Sequence, residues 1–309
     1  LERGEQVLLL QNRRGYSNVL LCPDCGWTPR CRNCDISMTY HKSERIMLCH
    51  YCNSKQRPPD VCPNCQSNKF LFPGYGTQRV ELSLKELFPE NKIVRLDVDS
   101  ARKSGHMQKT MRDFESGEID IILGTQMIAK GLDLPLVTLV GVVSADTALN
   151  LPDFRAGERT FQLLSQVAGR AGRGTLGGRV IIQTYSPEHY AIQAAAKHDY
   201  ALFYDREIAY RRRLRNPPFT RLASLVYTHT NDTLCQREAE RMKRVILEEI
   251  DSKGIADLSV IGPAPAFIHR LRGRFRWQLI LRGAEPSVFL SQIPVPQGWA
   301  VDIDPVGLV

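Results

Sequence analysis

Eight of the nine cysteines stand in four C-x-x-C pairs: Cys22/Cys25, Cys31/Cys34, Cys49/Cys52 and Cys62/Cys65. A tight turn at this spacing points both sulfurs of a pair at one ion, and four thiolates complete the tetrahedron that Zn²⁺ requires. The pairs therefore predict two zinc ions, each held by four cysteines. "CPDCG" and "CPNCQ" place Pro with Asp or Asn inside the hairpin, where such residues favour turns. Two pairings are open. In the nested one, Cys22, Cys25, Cys62 and Cys65 share an ion and Cys31, Cys34, Cys49 and Cys52 share the other; fourteen residues between the inner pairs make a comfortable zinc-ribbon gap. In the interleaved one, the first pair joins the third and the second joins the fourth. The nested arrangement is preferred, and spacing alone does not exclude the other. His41 and His50 are read as residues on the surface or beside the sites, since eight thiols already suffice.

Metal binding contributes folding free energy to such a segment, which has little core of its own. Around the cysteines lie Trp27, Arg30, Arg32, Tyr40, Lys42 and Tyr51, cations and aromatics expected to suit a nucleic-acid or protein surface. Cys235 stands apart in a helical stretch and reads as a small buried hydrophobe.

A second chemistry is carried by "QVAGRAGRG" (Gln166 to Gly174). Arg170 and Arg173 are three residues apart, so one helix face presents both to a common anion, in the manner of arginine fingers. "ILGTQMIAKGLDLP" (Ile122 to Pro135) ends a strand and sets Thr125, Gln126, Gly131 and Asp133 at the C-terminal edge of a parallel sheet, where such folds bind ligands. Two further stretches, "YRRRLRNPPFTR" (Tyr210 to Arg221) and "HRLRGRFRWQLILR" (His269 to Arg282), carry five arginines each and no acid. In the second, Arg270, Arg272, Arg274 and Arg276 alternate with Phe275 and Trp277, so arginines are expected to meet phosphates while aromatic faces stack on bases. The net charge of +8 agrees with a polyanionic partner.

The elements that must position these groups follow from periodicity. "VLLL", "KIVRLDVD", "IDIILGT", "LVTLVGVVSAD" and "RVIIQTY" read as strands. "TQRVELSLKELF", "GHMQKTMRDFESG" and "RAGERTFQLLSQVAGRA" read as helices between them. This alternation predicts a parallel α/β sheet over residues 1–21 and 72–215, interrupted by a cysteine-rich insertion at 22–71. After the Pro217–Pro218 break the pattern resets into a small α+β domain at 216–309. At 309 residues the chain is long enough for several such modules. No apolar run approaches the ~20 residues of a membrane span, and no signal peptide opens the chain. The start at Leu1 without Met suggests a piece of a longer protein. The cytoplasm is expected, because thiolate zinc sites persist in a reducing compartment.

The order strand, "GTQMIAKGLDLP", strand, helix, "QVAGRAGR" resembles motifs V and VI in the second RecA-like lobe of superfamily 2 helicases. The combination is narrower still. An eight-cysteine insertion early in the lobe, then "GYGTQRVE", then "ADTALNLPDFRAGERTFQLLSQVAGRAGR", is similar to the PriA family of bacterial primosomal helicases, and the likeness spans essentially the whole chain.

That resemblance implies an ATP-dependent 3′–5′ DNA helicase acting at stalled or branched forks and restarting replication. By its motifs, Arg170 and Arg173 would contact the γ-phosphate of ATP bound with Mg²⁺ on another lobe, with Gln166 nearby. Asp133 and Gly131 would couple nucleotide state to lobe closure, and Thr125 and Gln126 would face single-stranded DNA. The family uses the nested zinc pairing, and its C-terminal domain binds branched DNA and the single-stranded-DNA-binding protein; other primosome proteins are partners. The sequence holds no G-x-x-x-x-G-K-[ST] and no DEAH-type acidic motif, so this chain is expected not to hydrolyse ATP alone. The competing reading is a non-catalytic zinc-ribbon adaptor on a RecA-like scaffold. A weaker third keeps the motor but gives it RNA, or duplex DNA without unwinding.

Overall fold

A continuous apolar run such as Val7 to Leu10 suits a strand covered on both faces, and the computed structural model puts it at the centre of a sheet. The structure describes residues 1–11, 19–72, 77–96, 106–125, 134–169 and 177–309. They divide into two compact units: Leu1–Trp27, Asn64–Leu149 and Ala156–Tyr204 in the first, and Thr28–Pro63, Asn150–Arg155 and Asp205–Val309 in the second.

The first unit is built on five strands: β1 (Gln6–Gln11), β5 (Ile93–Leu96), β6 (Ile121–Gly124), β7 (Val137–Val143) and β8 (Arg179–Ile182). Their order is β5-β6-β1-β7-β8, and every pairing is parallel. The helices α1 (Thr77–Leu87), α2 (His106–Glu115), α3 (Asp146–Leu149), α4 (Ala156–Ala168) and α5 (Tyr190–Ala196) lie between or after these strands, and α6 (Tyr200–Arg213) begins in this unit. Leu8, Leu10, Ile122, Val140 and Val142 form the core with Phe114 of α2 and Leu164 and Val167 of α4. Buried Gln6 closes one end: its Nε2 donates to the carbonyls of Phe114 (2.6 Å) and Ile119 (2.7 Å), tying the end of α2 to the central strand. This parallel sheet with its helices is the α/β lobe expected from the alternation of strands and helices.

The second unit holds an antiparallel sheet of β9 (Arg221–His229), β10 (Leu258–Leu271), β11 (Arg274–Gly283) and β12 (Trp299–Ile303), in the order β10-β11-β9-β12. Alternation along β11 decides what covers each face. Leu279 and Leu281 pack with Met242 and Ile246 of α7 (Asp232–Ser252) and with Phe289 of α8 (Pro286–Ser291). Gln278 points the other way, and its Nε2 donates to the carbonyl of His50 at 2.8 Å. A three-stranded ribbon of β2 (Thr39–His41), β3 (Ile46–Leu48) and β4 (Lys55–Gln56) thus lies on the face that α7 leaves open. No helix among the described residues is long and apolar enough to cross a membrane.

Candidate metal centres and nucleic-acid surface

Three of the C-x-x-C pairs fold into the same turn. The first cysteine's carbonyl accepts from the amide four residues on: Gly26 to Cys22 (2.9 Å), Asp35 to Cys31 (2.8 Å) and Asn53 to Cys49 (2.9 Å). Its own amide donates five residues on, to Trp27, Ile36 and Ser54. In all four pairs the residue after the second cysteine is left-handed: Gly26 (φ 73°), Asp35 (51°), Asn53 (63°) and Gln66 (62°). Gly, Asp and Asn tolerate that region best, so three of these four positions carry a signal legible in sequence. At Gly26 the demand is double, because a Cβ would also fall 2.1 Å from the carbonyl oxygen of Tyr185.

These turns gather the sulfurs into two groups, Cys22, Cys25, Cys62 and Cys65 in one and Cys31, Cys34, Cys49 and Cys52 in the other, each with ligand atoms within 4.8 Å of one another. The pairing is therefore nested, and the interleaved alternative is excluded. The fit to zinc is close: a Zn–S bond of about 2.3 Å implies tetrahedron edges of about 3.8 Å, and Cys22–Cys65 and Cys31–Cys52 stand 3.6 Å apart. Among the described residues no disulfide joins any two cysteines. Within the inner group the hydrogen bonds of Cys34 and Cys49 draw the Cys31 thiol down to about 7. Those of Cys31, Cys34 and Cys49 pull Cys52 lower still, whereas contacts with Cys31 push both Cys34 and Cys49 up. All four must be thiolates to hold a zinc ion, so metal uptake at this group releases protons and depends on pH.

Neither histidine belongs to these groups. His50 is buried, and burial lowers its pKa to about 4, with a hydrogen bond to Pro265 opposing. The ring is neutral, so its Nδ1, 2.9 Å from the Pro265 carbonyl, carries the hydrogen. His50 also meets Phe267 edge-on at 5.6 Å, which seats the ribbon on β10. Asp35, unnoticed in the sequence, clamps the first inner turn: it accepts from Arg30 Nε (2.8 Å) and Arg213 (3.0 Å), while Tyr210 Oη donates to its carbonyl (2.8 Å). Tyr51, expected on the surface, is instead buried, 6% exposed. Of its neighbours, Arg32 and Lys42 are exposed, and Trp27 and Tyr40 are half-buried.

At the C-terminal edge of the parallel sheet Thr125 is buried, and its amide donates to the Leu96 carbonyl at 3.4 Å. Gln166 is exposed on the last turn of α4. Gln126, Gly131, Asp133, Arg170 and Arg173 lie outside the described residues. Asp146, a second group that sequence reasoning passed over, opens α3, three residues beyond the end of β7. Its carboxylate accepts from Thr184 Oγ1 (3.1 Å) and the Tyr185 amide (3.0 Å). Burial nonetheless raises its pKa above the ordinary carboxylate value.

The arginine-rich hairpin is formed by β10 and β11, with Leu271 paired to Arg274 across the turn residues Arg272 (φ 49°) and Gly273 (φ 81°). Positive φ at both central residues matches strand twist and brings the arginines to one tip. Arg270, Arg272 and Arg274 are exposed and Arg276 is half-buried. Arg270 lies over the Phe275 ring at 5.3 Å. Trp277 departs from the expectation that it stacks on bases. It is 6% exposed, packs beside buried Cys235 and Ala239, and donates its Nε1–H to Asp232 at 2.7 Å. Its ring supports the hairpin from within and offers no open face.

The family model "PriA DNA helicase Cys-rich region (CRR) domain" matches residues 31–57, and "Primosomal protein N C-terminal domain" matches residues 212–306. The chain is similar to the replication restart protein PriA of Bacillus subtilis (strain 168), 46% identical over 282 residues, covering 91% of this chain and 34% of that protein. It is 41% identical over 317 residues to that of Treponema pallidum (strain Nichols), covering 100% and 48%, and 40% identical over 317 residues to that of Synechocystis sp., covering 99% and 38%. The chain thus spans between about a third and about half the length of these curated relatives. Two four-cysteine clusters, a parallel α/β sheet and similarity along nearly the whole chain point the same way: the chain is similar to the part of the PriA replication restart proteins that carries the Cys-rich region and the C-terminal domain.

Proposed function

We propose that this chain is the C-terminal portion of an ATP-dependent, 3′–5′ superfamily 2 DNA helicase that recognises stalled or branched forks and restarts replication by assembling a primosome in the cytoplasm. The observation that carries the reading is the joining of one parallel sheet, with its "QVAGRAGR" motif, to two four-thiolate clusters in a sequence 46% identical to a replication restart protein.

In this reading the division of labour follows residues 1–21 and 72–215 as the motor lobe, 22–71 as the zinc insertion and 216–309 as the DNA- and partner-binding domain. Arg170 and Arg173 stabilise charge on the γ-phosphate during phosphoryl transfer, with Gln166 beside them. Gly131 and Asp133 link nucleotide state to closure, while Thr125 and Gln126 lie toward the single strand. ATP and Mg²⁺ are held by motifs absent from this sequence, so turnover belongs to the intact protein. The exposed arginines 270, 272 and 274, with Arg276, contact the phosphates of forked or single-stranded DNA. Partners are the single-stranded-DNA-binding protein and other primosome proteins.

The test is Arg173→Ala in the intact protein. ATP hydrolysis is expected to be abolished, with zinc content and DNA binding nearly unchanged. Preserved turnover would remove the motif from the mechanism.

A further inference from the structure

The hexapeptide Asn150–Arg155, NLPDFR, joins α3 to α4 and groups with the second unit. Its anchors there fall on both turns of the inner cysteine cluster. Asn150 Oδ1 accepts from Thr28 Oγ1 (3.3 Å) and Ser37 Oγ (3.5 Å), which stand three residues before Cys31 and three after Cys34. Four residues along, the Phe154 amide donates to Tyr51 Oη at 3.1 Å, and Tyr51 lies between Cys49 and Cys52. Burial pushes the Tyr51 phenol well above its ordinary pKa, so it stays a neutral hydroxyl.

The hexapeptide is also turned into position at its far end. Asp153 accepts from the Arg155 amide (2.9 Å) through one carboxylate oxygen and from the Leu308 amide (3.1 Å) through the other. Arg155 Nη1 donates to the Val306 carbonyl at 2.9 Å. Helix α4 begins at the next residue, Ala156.

What fixes the distance between the two cysteine turns is decisive. The ribbon between and after them consists of strands of only two or three residues, too short to hold two loops in register unaided. Four thiolates on one ion do so. The outer cluster has a different neighbour: Gly26 approaches the Tyr185 backbone and accepts a 3.5 Å hydrogen bond from Ser186 Oγ.

We infer that Asn150–Arg155 is a strap clasped at Asn150 and Phe154 by the inner zinc site and not by the outer one: occupancy of Cys31, Cys34, Cys49 and Cys52 sets the spacing of Ser37 and Tyr51, and so orders the hexapeptide that leads into α4. The outer site has no part in this. The inference concerns local order and stands independently of the motor reading.

Hydrogen exchange followed by mass spectrometry on the intact zinc-loaded protein tests it, using peptides that cover Asp146 to Ala156. Tyr51→Phe keeps the ring but removes the acceptor of the Phe154 amide. It is expected to retain two zinc ions and to exchange at 150–155 about fivefold faster, the scale of one hydrogen bond. Cys52→Ser is expected to raise exchange there further, while Cys65→Ser leaves it at the wild-type rate. Unchanged exchange in Tyr51→Phe overturns the inference, as does equal loss of protection in the two cysteine variants. Acceleration in Tyr51→Phe that extends to β1 and β7 overturns it too, since that is general loosening.

Discussion

Tyr210 to Arg221 and His269 to Arg282 carry the same five arginines and the same absence of acid, yet the fold puts them to opposite uses. In the first stretch each guanidinium has an internal partner. Arg211 pairs with Glu207 (2.7 Å), Arg213 with Asp35 (3.0 Å), Arg215 with Asp257 and Arg221 with Asp304, while Arg212 lies over the Phe219 ring at 4.9 Å. In the second, Arg272, Arg274 and Arg276 have no acidic partner among the described residues, and only Arg282 turns inward, donating to the Leu214 carbonyl at 3.1 Å. A count of arginines therefore does not locate a phosphate surface. What matters is whether the fold supplies acids at matching positions, and here those acids come from 4 to 178 residues away.

The comparison breaks first at Arg211. Its pair with Glu207 is the most enclosed of the set, at 13% and 7% side-chain exposure. Arg211→Ala is expected to destabilise the protein by about 3 kcal/mol, because it strips the guanidinium from a nearly buried carboxylate. Chemical denaturation measures this, and the salt dependence of DNA binding should not move. Changing Arg272, Arg274 and Arg276 together to Gln should do the reverse. Stability should hold, and the slope of log affinity against log salt on a single strand should fall by about 2, at roughly 0.7 per lost phosphate contact. A full slope in that variant would return the hairpin to an ordinary solvated face.

Smaller effects sharpen the distinction. Trp277→Phe removes the hydrogen bond to Asp232 and should cost about 1 kcal/mol with DNA affinity unchanged; a large affinity loss would mean the ring meets bases after all. Arg272→Asn should gain a few tenths of a kcal/mol, since Asn tolerates φ near 49° better than Arg. The same change should lower the salt slope by about 0.7. A loss of stability would show that Arg272 holds the turn.

Local rules reached far in this chain. The four C-x-x-C turns, the parallel strands and the amphipathic α2 and α4 were legible because spacing and periodicity dictate them. The nested pairing needed the fold, as both pairings satisfy the same spacing. Tyr51 and Trp277 misled for one reason: an aromatic among cations looks alike in sequence whether its ring faces solvent or the core. Only the contacts with Phe154 and Asp232, 103 and 45 residues away, decide. The seating of the ribbon on β10 and β11 through His50 and Gln278 likewise has no local signature. Asp35 was half visible, as a residue after a second cysteine suited to positive φ; its role as a clamp for Arg30 and Arg213 was not.

The central claim is that two independent four-thiolate sites organise this region, and elemental analysis of zinc per chain tests it most directly. The wild-type protein, purified without added metal, should carry two zinc ions, and Cys52→Ser and Cys65→Ser should each carry one. A wild-type content of one or none, or the loss of both ions in either single variant, would contradict two separate nested centres.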